Sequence, residues 1–271
     1  MPELPEVETT RLCLLPHVAG RRLERTVVRE RRLRWTVSRR LERELRGKRI
    51  HTVERRAKYL LFRTEGGTVI LHLGMSGSLR LTRASIPPEA HDHVDFVLDD
   101  ESCLRLRDPR RFGCVLWTRS DPLLHPLLRN LGLEPLSDAW NGATCHRLSR
   151  GRSVAVKSFI MNSRIVVGVG NIYANEALFR AHIHPARTAG RLSRARCDTL
   201  VDAVKDVLRE ALQAGGTTLR DYVTPLANPG GFHQHLEVYE RAGEPCPSCG
   251  SPIRLVRLGQ RSTYFCKNCQ R

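Results

Sequence analysis

The sequence predicts an α+β protein of several domains, in which a β-sandwich flanked by helices precedes a helical region and a small C-terminal hairpin. Three observations support this order: short β-rich runs between about 21 and 118, one long amphipathic pattern at 193–214, and four cysteines within the last 26 residues. The chain has 271 residues, 41% of them hydrophobic, which is enough for two modest domains and an appendage.

The first predicted elements are a helix over 5–19 and the strands of the sandwich. Acidic Glu6 and Glu8 favour the start of a helix, and its apolar residues recur near helical spacing: Val7, Leu14, Leu15 and Val18. Four later runs are typical of strands: Tyr59–Phe62, Thr68–Leu73, Val94–Leu98 and Cys114–Trp117. Many short strands separated by turns, such as 65–67, favour an antiparallel sandwich.

The second half of the sequence is predicted to be helical. A stretch rich in Pro, Asn and Gly at about 120–137 is typical of a hinge between domains. The helix at 193–214 has one apolar stripe, formed by Leu200, Val204, Val207, Leu208 and Ala211, and the glycine pair 215–216 follows in the C-cap position. Residues 222–235 contain two prolines and two glycines and are predicted to form a long loop.

The charge of the chain indicates an anionic partner. Lys and Arg total 45 against 28 Asp and Glu, a formal net charge of +17, and the phosphate backbone of nucleic acid is the commonest partner for such an excess. Only five of the basic residues are lysines, so a lysine is a rare choice here. The N-terminus is acidic and no run approaches the ~20 apolar residues of a membrane helix, so we expect a cytoplasmic protein.

The four C-terminal cysteines are predicted to bind one structural zinc ion. They form two C-x-x-C pairs separated by 16 residues, Cys246 with Cys249 and Cys266 with Cys269. Four thiolates make a closed tetrahedral zinc site, and the segment between the pairs has the length of a β-hairpin. A hairpin this small cannot bury a core of its own, so the metal would supply its folding energy. The alternative is four free or disulfide-linked cysteines.

The N-terminus offers a nucleophile. Removal of Met1 would leave Pro2 with a secondary amine, and an α-amino group has a pKa of about 7.7–8.0, so more of it is free base at neutral pH than of a lysine. Such an amine can attack a sugar carbon, expel a base and form an iminium ion that permits elimination of phosphate. Glu3 is suited to proton transfer. Taken alone, these residues also fit an ordinary helix start with an acidic first turn.

Six separated motifs together resemble the formamidopyrimidine-DNA glycosylase (Fpg, also called MutM) family, in the family's order and spacing. The motifs are MPELPEVE (1–8), HDHVDF (91–96), RDPRRFG (107–113), VVGVGNIYANEALF (166–179), GGTTLRDY (215–222) and STYFCKNC (262–269). The resemblance implies a β-sandwich catalytic domain at 1–128, a helix–two-turn–helix DNA-binding domain at 137–226 and a zinc finger at 237–271. It also implies base excision repair: release of 8-oxoguanine and formamidopyrimidines through a Schiff base on Pro2, then β,δ-elimination at the abasic site.

The same resemblance assigns roles to individual residues. The implied catalytic residues are Pro2, Glu3, Lys58 and Arg261. The damaged nucleotide must leave the base stack, and Met75, Arg110 and Phe112 match the residues that fill the vacated space. Further positions match DNA contacts, the first and last of them less firmly: His72, His91, Arg152, Asn171 and Tyr239. The implied partner is double-stranded DNA with damaged bases or abasic sites, bound by a monomer associated with the bacterial nucleoid.

Some residues depart from the family pattern. The chain has Asn162-Ser163 where members often have Asp-Gln, and Glu240 where Gly is common. The 222–235 loop, whose counterpart folds over the everted base, also differs. These differences bear on lesion preference and leave the residues assigned to strand cleavage unchanged.

Two other functions are compatible with parts of the sequence. The endonuclease VIII (Nei) branch shares Pro2, Glu3 and the zinc finger but prefers oxidised pyrimidines. A non-enzymatic zinc-ribbon DNA-binding module would explain the charge and the cysteines. Cleavage of a panel of damaged duplexes separates the first alternative, and covalent trapping on DNA separates the second.

Overall fold

The structure is a computed structural model that describes residues 2–217, Pro225 and residues 231–271. It divides into two compact units. The first comprises Met1–Arg129 and Ala214–Gly231, and the second comprises Asn130–Gln213 and Phe232–Arg271. The domain bounds expected from the sequence, 1–128, 137–226 and 237–271, stay a prediction.

Within the described residues, the first unit contains two α-helices and eight strands. In chain order they are α1 (Leu4–Val18), β1 (Leu23–Val28), α2 (Leu41–Leu45), β2 (Ile50–Arg56), β3 (Tyr59–Thr64), β4 (Gly67–His72), β5 (Ser78–Arg83), β6 (Asp92–Leu98), β7 (Ser102–Arg107) and β8 (Cys114–Thr118). All four runs predicted as strands are confirmed, and the predicted 65–67 turn joins β3 to β4. The helix expected over 5–19 is found one residue earlier, because Glu3 and Glu6 form a reciprocal capping box at its start.

The eight strands form two antiparallel four-stranded sheets, one in the order β1-β6-β7-β5 and the other in the order β2-β3-β4-β8. One buried apolar cluster takes residues from all eight strands and from both helices. Leu104 of β7 and Leu60 of β3, for example, are almost completely buried in it. Because both sheets contribute to the same core, they pack face to face as the predicted sandwich.

The second unit is helical with one small sheet. Its elements are α3 (Gly142–Ser149), α4 (Val156–Ile160), α5 (Asn171–Arg180), α6 (Arg194–Gln213), β9 (Arg254–Leu258) and β10 (Arg261–Phe265). The predicted stripe on the long helix is confirmed: Leu200, Val204, Val207, Leu208 and Ala211 are all buried on α6. β9 and β10 pair as an antiparallel hairpin, as the spacing of the cysteine pairs predicts.

Part of the loop expected over 222–235 lies outside the described residues, namely 222–224 and 226–230. Within the described part, Phe232–His235 form a short 3-10 helix. None of the helices in the described ranges has the length and apolar character needed to cross a bilayer.

Candidate active site and metal centre

The residues predicted to act as nucleophile and acid/base partner lie at the start of α1. Pro2 and Glu3 are both buried, and Glu3 is the N-cap residue, with extended backbone. Its backbone N–H donates to Glu6 Oε2 over 2.6 Å. The helix start is therefore fixed by hydrogen bonds before any substrate is present, which suits a residue that must hold a reacting atom in place.

Glu6 also binds a segment from far along the chain. Its second carboxylate oxygen, Oε1, accepts from the backbone N–H of Thr217 over 2.8 Å, and both groups are buried. Sequence reasoning assigned Glu6 only to the helix dipole. Its bond to Thr217 spans 211 positions, and no local pattern in the sequence indicates it.

Lys58 and His72 lie near each other on the sandwich. Lys58 follows β2, His72 ends β4, and the His72 ring contacts that of Tyr59 at 4.7 Å between centroids. Burial, together with the positive charges of Lys58 and Arg34, lowers the pKa of His72 to about 4. The His72 Nδ1 accepts from the backbone N–H of Gly74 over 2.9 Å. At neutral pH the ring is therefore uncharged, with its proton on Nε2.

The three residues predicted to fill the vacated base position lie on two loops of the first unit. Met75 belongs to the 73–77 loop, between β4 and β5, while Arg110 and Phe112 belong to the 108–113 loop, between β7 and β8. Met75 is 37% exposed and Phe112 is 41% exposed, so both of these large apolar side chains reach solvent. The guanidinium of Arg110 lies over the Phe112 ring, 5.0 Å from its centroid.

His91 lies at the start of β6 with an exposed side chain and a backbone φ of 72°. Its carbonyl accepts from the backbone N–H of Asp108 over 3.0 Å, so His91 is attached to the 108–113 loop. The structure thus brings His91 and the two exposed loops into one region of the first unit.

The other predicted DNA contacts lie in the second unit. Asn171 is the first residue of α5, and its Nδ2 donates to the Ser262 carbonyl of the hairpin over 3.1 Å. Arg152 is exposed and donates from Nε to the Leu148 carbonyl. Tyr239 is half-buried, and its ring meets that of Tyr264 edge-on at 5.1 Å.

Two buried charged residues attach the hairpin, and the 237–239 segment that precedes it, to the helices of this unit. The Glu176 carboxylate accepts from the consecutive backbone N–H groups of Glu237, Val238 and Tyr239 at 2.8–3.1 Å. The Lys157 Nζ donates to the Ser262 carbonyl and to Thr263 Oγ1, both over 2.8 Å. Sequence reasoning missed both roles. The rarity of lysine is a usable signal for Lys157, whereas Glu176 lies in the 166–179 motif but nothing in the sequence points to its distant backbone partners.

Arg261, predicted to be catalytic, is the first residue of β10 and is exposed. Arg254 and Arg257 on β9 are exposed as well. The hairpin therefore presents three cations to solvent, a distribution suited to contact with phosphates.

The four C-terminal cysteines form a cluster with the dimensions of a metal site. The sulfur atoms of Cys246, Cys249, Cys266 and Cys269 all lie within 4.8 Å of one another. The Cys246 and Cys269 sulfurs are 3.8 Å apart, and those of Cys249 and Cys266 are 3.4 Å apart. A zinc ion with bonds of ~2.3 Å to four thiolates needs sulfurs about 3.8 Å apart, so the residues present fit zinc.

The remaining cysteines include a pair that the sequence does not reveal. Cys145 on α3 and Cys197 on α6 are far apart in the sequence, but both are fully buried and lie beside each other where the two helices pack. A side chain on Gly142 would come within 1.7 Å of Asp198 Oδ1, so the glycine permits this close crossing.

The fold and these sites define a multidomain DNA-processing protein with a zinc-finger hairpin, and comparison with known proteins identifies its family. Three family models match in succession: the formamidopyrimidine-DNA glycosylase N-terminal domain over residues 1–115, the H2TH domain of the same enzymes over 131–223, and a zinc finger found in FPG and IleRS over 243–271. The formamidopyrimidine-DNA glycosylase of Methylococcus capsulatus is 59% identical over 271 residues, all of both chains.

Solved structures agree with this result. The crystal structure of MutM (Fpg) from Thermus thermophilus superposes with a TM-score of 0.89 at 41% identity, covering 99% of this chain and 98% of that one. Lactococcus lactis Fpg in complex with DNA containing an abasic site gives a TM-score of 0.93 at 32% identity, covering 99% of both. The chain belongs to the formamidopyrimidine-DNA glycosylase family and is thus a DNA glycosylase of base excision repair. The roles of the individual site residues stay predictions.

Proposed function

We propose that the protein is a bifunctional glycosylase and abasic-site lyase that removes 8-oxoguanine and formamidopyrimidines from duplex DNA. The observation that carries the proposal is the arrangement at the N-terminus: Pro2 and Glu3 are buried next to each other, and hydrogen bonds between Glu3 and Glu6 hold them at the start of α1. This arrangement occurs in a chain that matches its relatives from end to end.

The chemistry begins once Met1 has been removed. The Pro2 amine attacks C1′ of the damaged nucleotide, and the bond from C1′ to the base breaks, with a proton supplied to the departing base. The sugar ring opens to give an iminium ion between Pro2 and C1′. Glu3 transfers protons between the sugar and the leaving group.

Strand cleavage follows from the acidity of the iminium ion. Loss of a proton from C2′ expels the 3′ phosphate, and a second elimination expels the 5′ phosphate. Hydrolysis of the iminium ion then releases Pro2 and the sugar fragment, and the DNA is left with a gap bounded by phosphates. Lys58 and Arg261 are the cations proposed to support these eliminations and to hold the phosphates.

A single zinc ion bound by the four cysteines is proposed to fix the hairpin that carries Arg261. The sulfur spacing and the zinc-finger match support this assignment. The metal would have no open coordination position and would therefore take no part in the reaction.

Borohydride trapping on a duplex with 8-oxoguanine opposite cytosine tests the covalent step. Protein whose measured mass shows that Met1 is absent is expected to crosslink to the DNA with borohydride and to cut the strand without it. Protein that retains a residue before Pro2 should do neither. We expect Glu3→Gln to impair base release more than trapping on a ready-made abasic site, because the latter has no base to expel. Full activity of the blocked protein would refute the proposal.

A panel of lesions tests the substrate class. Formamidopyrimidine and 8-oxoguanine are expected to be cut faster than thymine glycol. Preferential cutting of thymine glycol would favour the endonuclease VIII type of activity, and tight binding without any crosslink would favour a DNA-binding module.

A further inference from the structure

Asp108 is a buried carboxylate that the predicted chemistry does not use. It follows β7 and is 0% exposed. Within the part of the chain that the structure describes, no ion pair involves Asp108; its carboxylate instead accepts two neutral hydrogen bonds. Ser76 Oγ donates to Oδ1 over 3.1 Å, and the backbone N–H of Gly113 donates to Oδ2 over 2.7 Å. Burying a carboxylate without a cation is costly, so its retention calls for a reason beyond packing.

The two hydrogen bonds join the loops that carry the exposed side chains. Ser76 is adjacent to Met75 on the 73–77 loop, and Gly113 is adjacent to Phe112 on the 108–113 loop. Ser76 Oγ also accepts from the backbone N–H of Arg110 over 3.3 Å. Asp108 and Ser76 therefore form a short chain of hydrogen bonds that reaches the backbone beside each of the three side chains predicted to enter the DNA.

The loop backbones touch at the same place. A Cβ on Gly74 would lie 2.5 Å from the Gly113 nitrogen and 2.5 Å from the Phe112 carbonyl carbon, and Gly74 has a φ of +68°. Only glycine fits both the contact and the backbone angle. The Asp108 carbonyl accepts from the Arg111 N–H over 3.1 Å and lies 2.9 Å from His93 Nε2, so the 108–113 loop is fixed by its backbone as well.

Rigid support matters here because exposed tips have little else to fix them. Met75 and Phe112 have few neighbours on their outer sides, and a side chain that enters a base stack has to displace stacked bases against a real energy barrier. A flexible loop would be displaced by the DNA and would not separate the stacked bases. A group that fixes both loops before contact reduces the ordering required on binding.

We propose that Asp108 is a positioning residue that holds Met75, Arg110 and Phe112 in one rigid arrangement, so that they can replace the everted nucleotide. This inference rests on the proposed function. It predicts that loss of the Asp108 hydrogen bonds slows eversion of the damaged base while sparing the covalent chemistry that follows.

The test compares Asp108→Asn, which keeps the size but turns one acceptor into a donor, with Ser76→Ala, which removes the hydroxyl. Fluorescence of 2-aminopurine placed beside the lesion reports unstacking and needs no chemistry. Single-turnover cutting is measured on a fully paired duplex and on one in which the lesion lies in an unpaired bulge. We expect D108N to slow the unstacking signal and paired-duplex cutting by about tenfold or more, with a smaller effect for S76A. On the bulge, both variants should approach the wild-type rate.

Asp95→Asn provides a control for loss of stability. Asp95 is also a buried carboxylate of this unit, but its partners are Arg29 and Arg105. D95N is expected to lower the melting temperature without changing the ratio of rates on the paired and bulged substrates. If D108N fails to fold, S76A decides the question, since it leaves the carboxylate in place.

The inference is overturned if D108N or S76A slows both substrates equally, or if the unstacking signal is as fast as in wild type. Failure of the proposed function would look different: wild type itself would not crosslink or cut, although the unstacking signal could still be recorded.

Discussion

The sandwich and the C-terminal hairpin are both antiparallel sheets, but different forces stabilise them. The sandwich closes around an apolar cluster to which every one of its strands contributes. The hairpin packs on a small cluster formed by Phe179, Val238, Cys246, Ile253 and Cys266, and two of those residues belong to the cysteine cluster. Four of the five residues of β9 are exposed. A short sheet with one solvent-exposed face buries too little surface to be stable alone, so we expect metal binding at the cysteine cluster and hydrogen bonds to neighbouring helices to stabilise it.

Loss of the metal site should produce the largest difference in stability between the hairpin and the sandwich. Cys266→Ser, or chelation of the metal, is expected to unfold the hairpin, because structural zinc supplies about 10 kcal/mol or more in small fingers. Hydrogen exchange should show lost protection at 254–265 and unchanged protection at 59–72. Cys13→Ser, a cysteine outside the cluster, is the control. Retained protection of the hairpin after chelation would contradict the comparison.

Removal of an apolar side chain should destabilise the sandwich more than the hairpin. Leu104→Ala in the sandwich is expected to lower the free energy of unfolding by about 2–5 kcal/mol, because it leaves a cavity in a closed core. Leu255→Ala on β9, where the side chain is 51% exposed, should change it by about 0.5 kcal/mol or less. Denaturant titration of both variants measures the difference. Equal losses would mean that the hairpin has a core of its own.

The hydrogen bonds that attach the hairpin region should have an intermediate effect. Glu176→Gln is expected to destabilise the second unit by about 1.5–3 kcal/mol, because the amide cannot accept three backbone N–H groups as the carboxylate does. Glu210→Gln removes only an exposed ion pair with Arg180 and should cost about 1 kcal/mol at most. Thermal unfolding of the two variants at equal zinc occupancy is the measurement, and a larger loss for E210Q would refute the assignment.

The smallest expected effect depends on pH and belongs to the sandwich. The pKa of His72 is about 4 in the folded protein against 6.5 for an ordinary histidine, so the unfolded chain binds the extra proton first as the pH falls. This contribution to stability is complete above pH 6.5 and is lost between pH 6.5 and 4.

His72→Asn keeps an acceptor for the Gly74 N–H but cannot be protonated in this range. Between pH 7 and pH 5, wild type should lose about 2 kcal/mol more stability than H72N. Urea titration at the two pH values tests this, and parallel losses in both proteins would show that His72 is not the group responsible.

The sequence predicts individual strands and helices better than it predicts which of them pair or pack together. Short β-rich runs bounded by turn residues predict β3, β4, β6 and β8, and the helical stripe predicts α6, because those patterns depend on local geometry alone. The pairing of β1 with β6, and of β4 with β8, joins residues far apart and has no local signature. For the same reason, Cys145 and Cys197 looked scattered in the sequence, although α3 and α6 bring them together.

The candidate site shows the same division. The four cysteines are predicted from their residue type and spacing alone, and Pro2 and Glu3 are predicted from their chemistry together with the family resemblance. Asp108 lies inside a motif that was noticed, but the reason for an aspartate there emerges only when Ser76 and Gly113 are seen around it. Glu6, Lys157 and Glu176 likewise act through distant backbone groups, which a sequence does not display.

The hydrogen bond between Glu6 and Thr217 has a consequence for biosynthesis. The first unit is discontinuous, and residues 214–231 return to it after the whole helical segment from Asn130 to Gln213. During translation, Glu6 therefore lacks this partner until Thr217 has left the ribosome. A nascent chain that stops before Thr217 cannot complete the hydrogen bonds of Glu6, which also caps the helix start beside Pro2, so this part of the fold forms late in synthesis.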